Sequence, residues 1–164
     1  MAELRKLSHP FHPLFNEASE IIILGSFPSV KSVKEGYYYA NPHNRFYPVM
    51  SEILGEDLVS VDWNEKKRLL LKHHVALHDV IGSCQIEGSS DATIHNPKPS
   101  RLRTILAESH ISRIYCNGQK AYALYQKYFS DVALPVEVLP STSPANAKMS
   151  LSELIEVWSK ALNK

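Results

Sequence analysis

The run "EIIILGS", Glu20 to Ser26, is the feature that most constrains the fold of this chain. Three consecutive isoleucines followed by a leucine are typical of a strand covered on both faces, as in a parallel sheet packed between helices. Three other short apolar runs are also predicted to be strands, and they span His74 to Val80, Ser112 to Gly118 and Leu134 to Ser141.

Helical patterns separate these strands. Apolar spacing predicts helices over residues 44–54, 64–73, 100–109, 119–129 and 150–162. The last begins with a capping-type Ser150 followed by Glu153. Strands that alternate with helices predict an α/β fold, a three-layer sandwich with a four-stranded, mostly parallel central sheet flanked by helices. Residues 1–164 are predicted to form a single domain.

Composition limits the class of protein. The chain has 44% apolar and 21% charged residues and a formal net charge of +1, so no overall charge attracts it to a polyanion. This argues against a nonspecific nucleic-acid coat protein but allows a local basic patch. Cys84 and Cys116 lie far apart and are expected to be reduced. No apolar run reaches the roughly 18 residues of a membrane span, so we expect a cytoplasmic protein without a membrane partner. No feature demands more than a monomer.

Three long segments follow predicted strands: residues 27–43, 82–99 and 140–148. They are predicted to be irregular. Ligands of open α/β sheets bind outside the carboxyl ends of the strands, so these loops are where function is expected.

The first loop contains "YYYANPHNRF". A ring such as Tyr39 can stack on a nucleobase, while the amides of Asn41 and Asn44 can read its edge or hold a water. Other interpretations stay open, since Tyr37 and Tyr38 can be exposed loop residues and Asn44 a helix N-cap.

Polar residues also end the other strands. Asn117 is well placed to read a planar heterocycle, or is a turn residue. Asp79 either caps the following loop or orders a neighbouring loop or a water. The segment "LPSTSPANAKMS" can press against a sugar-phosphate backbone, or it is merely a turn.

Several kinds of chemistry are absent from the sequence. No His, Cys, Asp or Glu cluster has zinc spacing, so no metal site is predicted. Neither a Walker loop nor a G-x-S-x-G nucleophile elbow is present, and the candidate loops lack paired carboxylates.

Taken in order, "LGSFPS", "YYYANPHNRF", "DVIGSC…EGS", "NGQKA" and "LPSTSPAN" resemble the uracil-DNA glycosylase superfamily. The resemblance is to its branch of deoxyinosine (hypoxanthine) DNA glycosylases, related to the mismatch-specific enzymes, and it runs from about Ser8 to Leu162. It implies a four-stranded parallel sheet between helices, DNA with deaminated bases as the partner, and no cofactor. It also implies a monofunctional enzyme that flips a damaged nucleotide out and hydrolyses its N-glycosidic bond.

The resemblance also implies roles for individual residues. Relatives carry Asn or an acid inside the first loop where this chain has Phe27, so the water-activating role must lie elsewhere. Asn44 and then Asn41 are the expected catalytic residues. Contacts to the base are expected from Ser26, Phe27, Tyr39 and Asn117, and contacts to DNA from Ser141, Ser143, Pro144, Ala145, Asn146 and Lys148.

Three functions are compatible with these residues. The first is a DNA glycosylase acting on hypoxanthine, uracil or xanthine in base-excision repair. The second is a module of the same fold that binds damaged DNA or a nucleotide without cutting it. The third is a hydrolase of free nucleosides. The order of the motifs favours the first.

Overall fold

A computed structural model describes residues 4–87 and 94–163 of the protein. The strands are β1 (Leu4–Ser8), β2 (Ile21–Gly25), β3 (Val75–Asp79), β4 (Ile81–Glu87), β5 (Ile94–Pro99), β6 (Arg113–Asn117) and β7 (Val136–Leu139). The helices are α1 (Val30–Glu35), α2 (Phe46–Leu54), α3 (Trp63–Lys72), α4 (Leu102–Ala107), α5 (Gln119–Phe129) and α6 (Leu151–Leu162). No helix in these ranges is long and apolar enough to cross a membrane.

The central sheet has the order β3-β2-β6-β7, and every neighbouring pair is parallel. In β2, Ile22 and Leu24 face one side and Ile23 faces the other, and all three are fully buried. The apolar run therefore forms the strand it predicts, because both of its faces are covered. The predicted four-stranded sheet and α/β class are confirmed.

Helices cover both faces of this sheet. On one side Ile23 and Leu77 belong to a core shared with α2, α3 and α6, in which Trp158 is fully buried. On the other side Ile22 and Ile114 pack with residues of α4 and α5. Helix α6 begins with the predicted capping box: Ser150 accepts from the Glu153 amide and the Glu153 carboxylate accepts from the Ser150 amide. The three layers follow from these two cores.

A second sheet was not predicted. Strands β1, β4 and β5 form an antiparallel sheet in the order β1-β4-β5, so the expectation that residues 82–99 are irregular is wrong for 82–87 and 94–99. Residues 88–93, which include part of the quoted "EGS" motif, lie outside the described ranges. Residues 82–99 are rich in Gly, Ser and Pro and lack apolar alternation, so the pairing of β4 with β1 has no local signal.

The loop predicted over residues 27–43 is also interrupted, in this case by helix α1. Ser29 caps this helix by accepting a hydrogen bond from the Ser32 amide, and Gly36 ends it in the left-handed conformation. A short helix with a serine cap and a glycine stop fits common capping rules, although its sequence "VKSVKE" has little apolar periodicity. The tyrosine-rich stretch begins at Tyr37, directly after this glycine.

Candidate active site

A cavity of about 810 Å³ lies at the carboxyl ends of the four parallel strands. Every strand contributes to its wall, either directly, as with Gly25, Asp79 and Asn117, or through the residues that follow it. Of the predicted site residues, those that line it are Ser26, Phe27, Tyr39, Asn41, Asn44, Asn117, Ser141, Ser143, Ala145 and Asn146. Pro144 and Lys148 are exposed and lie outside its lining. The volume suits a base with part of its sugar.

Thr142 joins three parts of this wall. Its side chain is fully buried, its amide donates to Asn117 Oδ1 at 3.0 Å, and its Oγ1 accepts from Asn117 Nδ2 at 3.0 Å. The same hydroxyl donates to Asn44 Oδ1 at 2.8 Å, while the Thr142 carbonyl accepts from the Arg45 amide at 3.0 Å. One threonine therefore orients two of the amides that the sequence singles out, Asn44 and Asn117.

These bonds restrict what Asn44 can do. Its Oδ1 accepts from the Thr142 hydroxyl and also from the Phe46 amide at 2.9 Å, so both lone pairs of that oxygen are engaged. The residue supports the start of α2, although the N-cap position itself is Arg45. Within the described ranges no residue accepts from Asn44 Nδ2. Asn44 therefore presents donors to the cavity.

Asn41 differs from Asn44 in how many more hydrogen bonds its side-chain oxygen can accept. Its Oδ1 accepts one hydrogen bond, from the His43 amide at 2.9 Å, which leaves a second lone pair. The side chain is half-buried and lines the cavity. Of the two amides, Asn41 is the one whose oxygen can still accept from a water.

Asn117 is followed by a glycine that the packing requires. Gly118 has φ of 99°, and a Cβ there would meet the Ser141 Cβ at 3.1 Å. Its close approach keeps the loop after β7 against the end of β6 and thereby allows the paired bonds between Asn117 and Thr142. The amide of Asn117 keeps one hydrogen and one lone pair for a ligand.

Tyr39 brings a buried hydroxyl to the cavity. Its backbone has φ of 57°, a region that bulky residues seldom adopt, and one face of its ring stacks on Phe46 with centroids 4.2 Å apart. Within the described ranges the Tyr39 hydroxyl has no hydrogen-bond partner of good geometry. Burial and then the Asp79 charge raise the pKa of Tyr39, and the nearby Asn117 amide opposes that rise. The hydroxyl is a neutral donor that has no acceptor among the described residues.

Asp79 ends β3 inside the cavity and pairs with a residue of the N-terminal segment. His9 Nε2 donates to Asp79 Oδ2 at 2.7 Å, and both side chains are 6% exposed. The other ring nitrogen of His9 lies 3.2 Å from the Phe11 amide and 3.1 Å from the Phe11 carbonyl, so it is satisfied in either protonation state. The histidine is thus oriented on both sides.

A second histidine lies beside this pair. The His78 and His9 rings have centroids 4.6 Å apart, and His78 Nδ1 lies 2.8 Å from the Tyr38 hydroxyl, which itself donates to the His12 carbonyl. Burial lowers the pKa of His78 to about 4, and the Asp79 carboxylate opposes this effect. Burial, with Asp79 next, raises the pKa of Tyr38. Tyr38 is therefore a buried structural residue and not an exposed loop residue.

Phe27 lines the cavity, and Arg45 fixes the loop that follows β7. The Phe27 ring is 8% exposed and packs edge-on against His9 with centroids 5.7 Å apart. Arg45 donates to the Met149 carbonyl at 2.5 Å and to the Asn146 carbonyl at 2.7 Å, which fixes the segment after β7. Asn146 Nδ2 in turn donates to the Ser141 carbonyl. The loop after β7 is therefore held in part by Asn44 and Arg45, which precede α2.

Sequence reasoning gave no committed role to His9, Asp79 or Thr142, which are central to the contacts of this site. Asp79 carried a signal, because an acid at the end of an apolar strand is unusual. His9 carried none, since its partner is 70 residues away. Thr142 lay within a quoted motif, but nothing in the sequence distinguished it from the serines on either side.

The fold and this cavity belong to a known class of protein. Residues 12–162 match the family model of the Uracil DNA glycosylase superfamily. The match covers most of the chain, which therefore belongs to this superfamily and stands among the DNA glycosylases.

The relatives are more specific. A curated protein of Methanosarcina acetivorans named hypoxanthine DNA glycosylase is 32% identical over 141 residues, which cover 85% of this chain and 89% of the relative. A protein of Methanosarcina barkeri with the same name is 29% identical and covers 94% and 97%. A solution NMR structure from M. acetivorans, described as a candidate uracil DNA glycosylase, has a TM-score of 0.79 and 29% identity, with coverage of 96% and 98%.

Proposed function

We propose that this protein is a monofunctional DNA glycosylase that flips a deaminated nucleotide out of DNA and hydrolyses its N-glycosidic bond. Hypoxanthine is the proposed base, with uracil and xanthine as further substrates, and the reaction belongs to base-excision repair. The observation that carries the proposal is the convergence of amide donors and a neutral tyrosine hydroxyl on one cavity at the strand ends. The names of the two curated relatives support the choice of base.

The donors of the cavity suit a departing base. When the bond between C1′ and the base breaks, the electron pair goes to the base and positive charge develops on the sugar. Asn44 Nδ2 and the Tyr39 hydroxyl are donors without a partner among the described residues, so they suit the stabilisation of negative charge on the base. Asn117 has one spare hydrogen and one spare lone pair, which fit the lactam edge of hypoxanthine.

The last loop is proposed to contact the DNA around the flipped nucleotide. Ser141, Ser143, Ala145 and Asn146 line the cavity, and the exposed Pro144 and Lys148 lie beside them in the chain. Arg45 donates hydrogen bonds to two carbonyls of this segment. The loop is therefore preorganised, and little conformational entropy is lost when it contacts DNA. The protein is proposed to act as a monomer in the cytoplasm and without a cofactor.

The test is base release under single-turnover conditions from matched duplexes that contain one deoxyinosine, deoxyuridine or deoxyxanthosine. We expect the wild type to release hypoxanthine, and Asn44→Ala to lose at least about 100-fold in rate. Asn41→Ala, measured beside it, shows which of the two amides carries the larger effect. Full activity of Asn44→Ala would move the role to Asn41 or Asn117.

Two controls separate the alternatives. Tight binding of the deoxyinosine duplex without release of any base would identify a binding module, and release from free deoxyinosine alone would identify a nucleosidase.

Borohydride trapping tests monofunctional chemistry, because a lyase forms an imine with an amine such as that of Lys120, which lines the cavity. We expect no trapped complex.

A further inference from the structure

Asp79 supplies a carboxylate to a cavity that is otherwise lined by neutral and basic side chains. Among the described residues that line it, Asp79 is the one acid. Its Oδ2 is engaged by His9 Nε2 at 2.7 Å, and the described residues offer Oδ1 no hydrogen-bond donor. Oδ1 is not among the buried side-chain atoms that lack a partner, so it is accessible from the cavity to a water or a ligand.

The position of that oxygen is set by the end of β2. A Cβ on Gly25 would meet Asp79 Oδ1 at 2.4 Å and the Tyr39 hydroxyl at 3.4 Å, so both polar atoms flank the same point above the glycine. Only glycine leaves this space open. The Tyr39 hydroxyl is itself buried and unsatisfied, which is an independent sign that a polar ligand belongs there.

Resting on the function proposed above, we propose that Asp79 is a catalytic residue of base excision and that His9 is its positioning residue. Asp79 Oδ1 faces the reacting sugar carbon and its attacking water. His9 holds the opposite oxygen by donating a hydrogen bond to it, which fixes the orientation of the carboxylate. Phe27, which packs on the His9 ring, keeps that imidazole in place.

The step balances without a further reactant. The bond between C1′ and the base nitrogen breaks, and its electron pair leaves with the base. The water oxygen bonds to C1′, one water proton passes to Asp79 Oδ1, and the base takes up a proton from the cavity or solvent. The products are free base and an abasic sugar, and Asp79 returns its proton to water. A carboxylate also stabilises the positive charge that develops on the sugar.

The experiment measures two quantities for each variant. One is the single-turnover rate of hypoxanthine release, and the other is the affinity for a duplex with an uncleavable 2′-fluoro deoxyinosine. We expect Asp79→Asn to lower the rate by at least about 100-fold. Affinity for the analogue should stay the same or rise, because a negative charge is removed from a surface that meets a polyanion. Asp131→Asn, which removes an exposed acid paired with Arg103, is the matched control.

His9 provides a second measurement that a purely structural role would not move. His9→Gln keeps a side-chain donor for Asp79, and His9→Leu removes it, while neither changes the carboxylate. We expect His9→Gln to retain more of the excision rate than His9→Leu at equal analogue affinity.

Each result decides the question. Asp79→Asn with the control's rate would overturn this inference and leave the proposed function intact. Loss of rate and analogue affinity together, with His9→Gln no better than His9→Leu, would reduce the pair to a structural contact. No base release by the wild type from any duplex would overturn the proposed function, and this inference with it, before a variant is measured.

Discussion

His78 shows how a single buried residue can make the whole fold sensitive to pH. It is 4% exposed and lies between the Tyr38 hydroxyl and the His9 ring. Burial lowers the pKa of His78 from 6.5 to about 4, so the folded protein holds this ring neutral where the unfolded chain binds a proton. Because the unfolded state binds more protons across that window, stability falls as the pH falls from about 6.5 to about 4.

The expected size can be measured. Between pH 7 and pH 5, His78 should remove about 2 kcal/mol from the free energy of unfolding, which urea titrations at each pH would show. His78→Gln should lose this part of the slope, whatever its stability at pH 7. His43→Gln, in an exposed loop position, serves as the control and should keep the slope. Equal slopes in the wild type and His78→Gln would contradict the prediction.

At the scale of elements, the start of α2 and the loop after β7 act as one unit. Thr142 connects them through Asn44 Oδ1 and the Arg45 amide, and it connects both to β6 through Asn117. Arg45 adds two bonds to carbonyls of the same loop. The geometry of the cavity therefore depends on contacts between segments that are about 100 residues apart.

Thr142→Val tests this coupling with an almost isosteric change. Loss of the hydroxyl leaves the Asn117 Nδ2 donor and one lone pair of Asn44 unsatisfied, which should lower the free energy of unfolding by about 1–3 kcal/mol. The rate of base release should fall as well, because Asn44 is freed to rotate. The exposed Thr104→Val in α4 provides the comparison. If both variants match the wild type in urea unfolding and base release, the bonds of Thr142 do not organise the site.

At the scale of the whole molecule, the two sheets share one core. Cys84 on β4 and Cys116 on β6 both belong to the apolar cluster that includes Ile22 and Phe129. Both thiols are free and buried, and burial raises the pKa of Cys116 to about 12 and that of Cys84 above its usual value. A thiol in this environment reacts only when the structure around it opens.

Thiol labelling therefore reports on whether the two sheets open together. With a disulfide reagent at pH 8, we expect neither cysteine to react in the native protein at a rate above that of global unfolding. Cys84→Ser and Cys116→Ser, which isolate one thiol each, should then label at the same rate. Faster labelling of Cys84 than of Cys116 would show that the β1-β4-β5 sheet opens by itself.

Some features of this protein follow from the local sequence. The "EIIILG" run predicted a strand buried on both faces because only apolar side chains tolerate that environment, and Ile22 and Ile23 are fully buried. Helix α5 spans its predicted residues 119–129, and α6 begins at the capping signal of Ser150. The ends of the parallel strands also placed two of the three expected loops, 27–43 and 140–148, on the cavity, since such ends meet at one edge of a sheet. The expectation was wrong for residues 82–99, since none of the described residues in that segment lines the cavity.

Other features were decided only by the tertiary structure. The β1-β4-β5 sheet has no apolar alternation, so its strands exist because they pair with each other. The bond between His9 and Asp79 spans 70 residues, and no local pattern encodes it. The sequence predicted amide side chains at the site. Hydrogen bonds from Thr142 then determine which lone pairs of Asn44 and Asn117 remain free. Local patterns record what a segment buries, whereas the free atoms of a site depend on partners that only folding brings within hydrogen-bond distance.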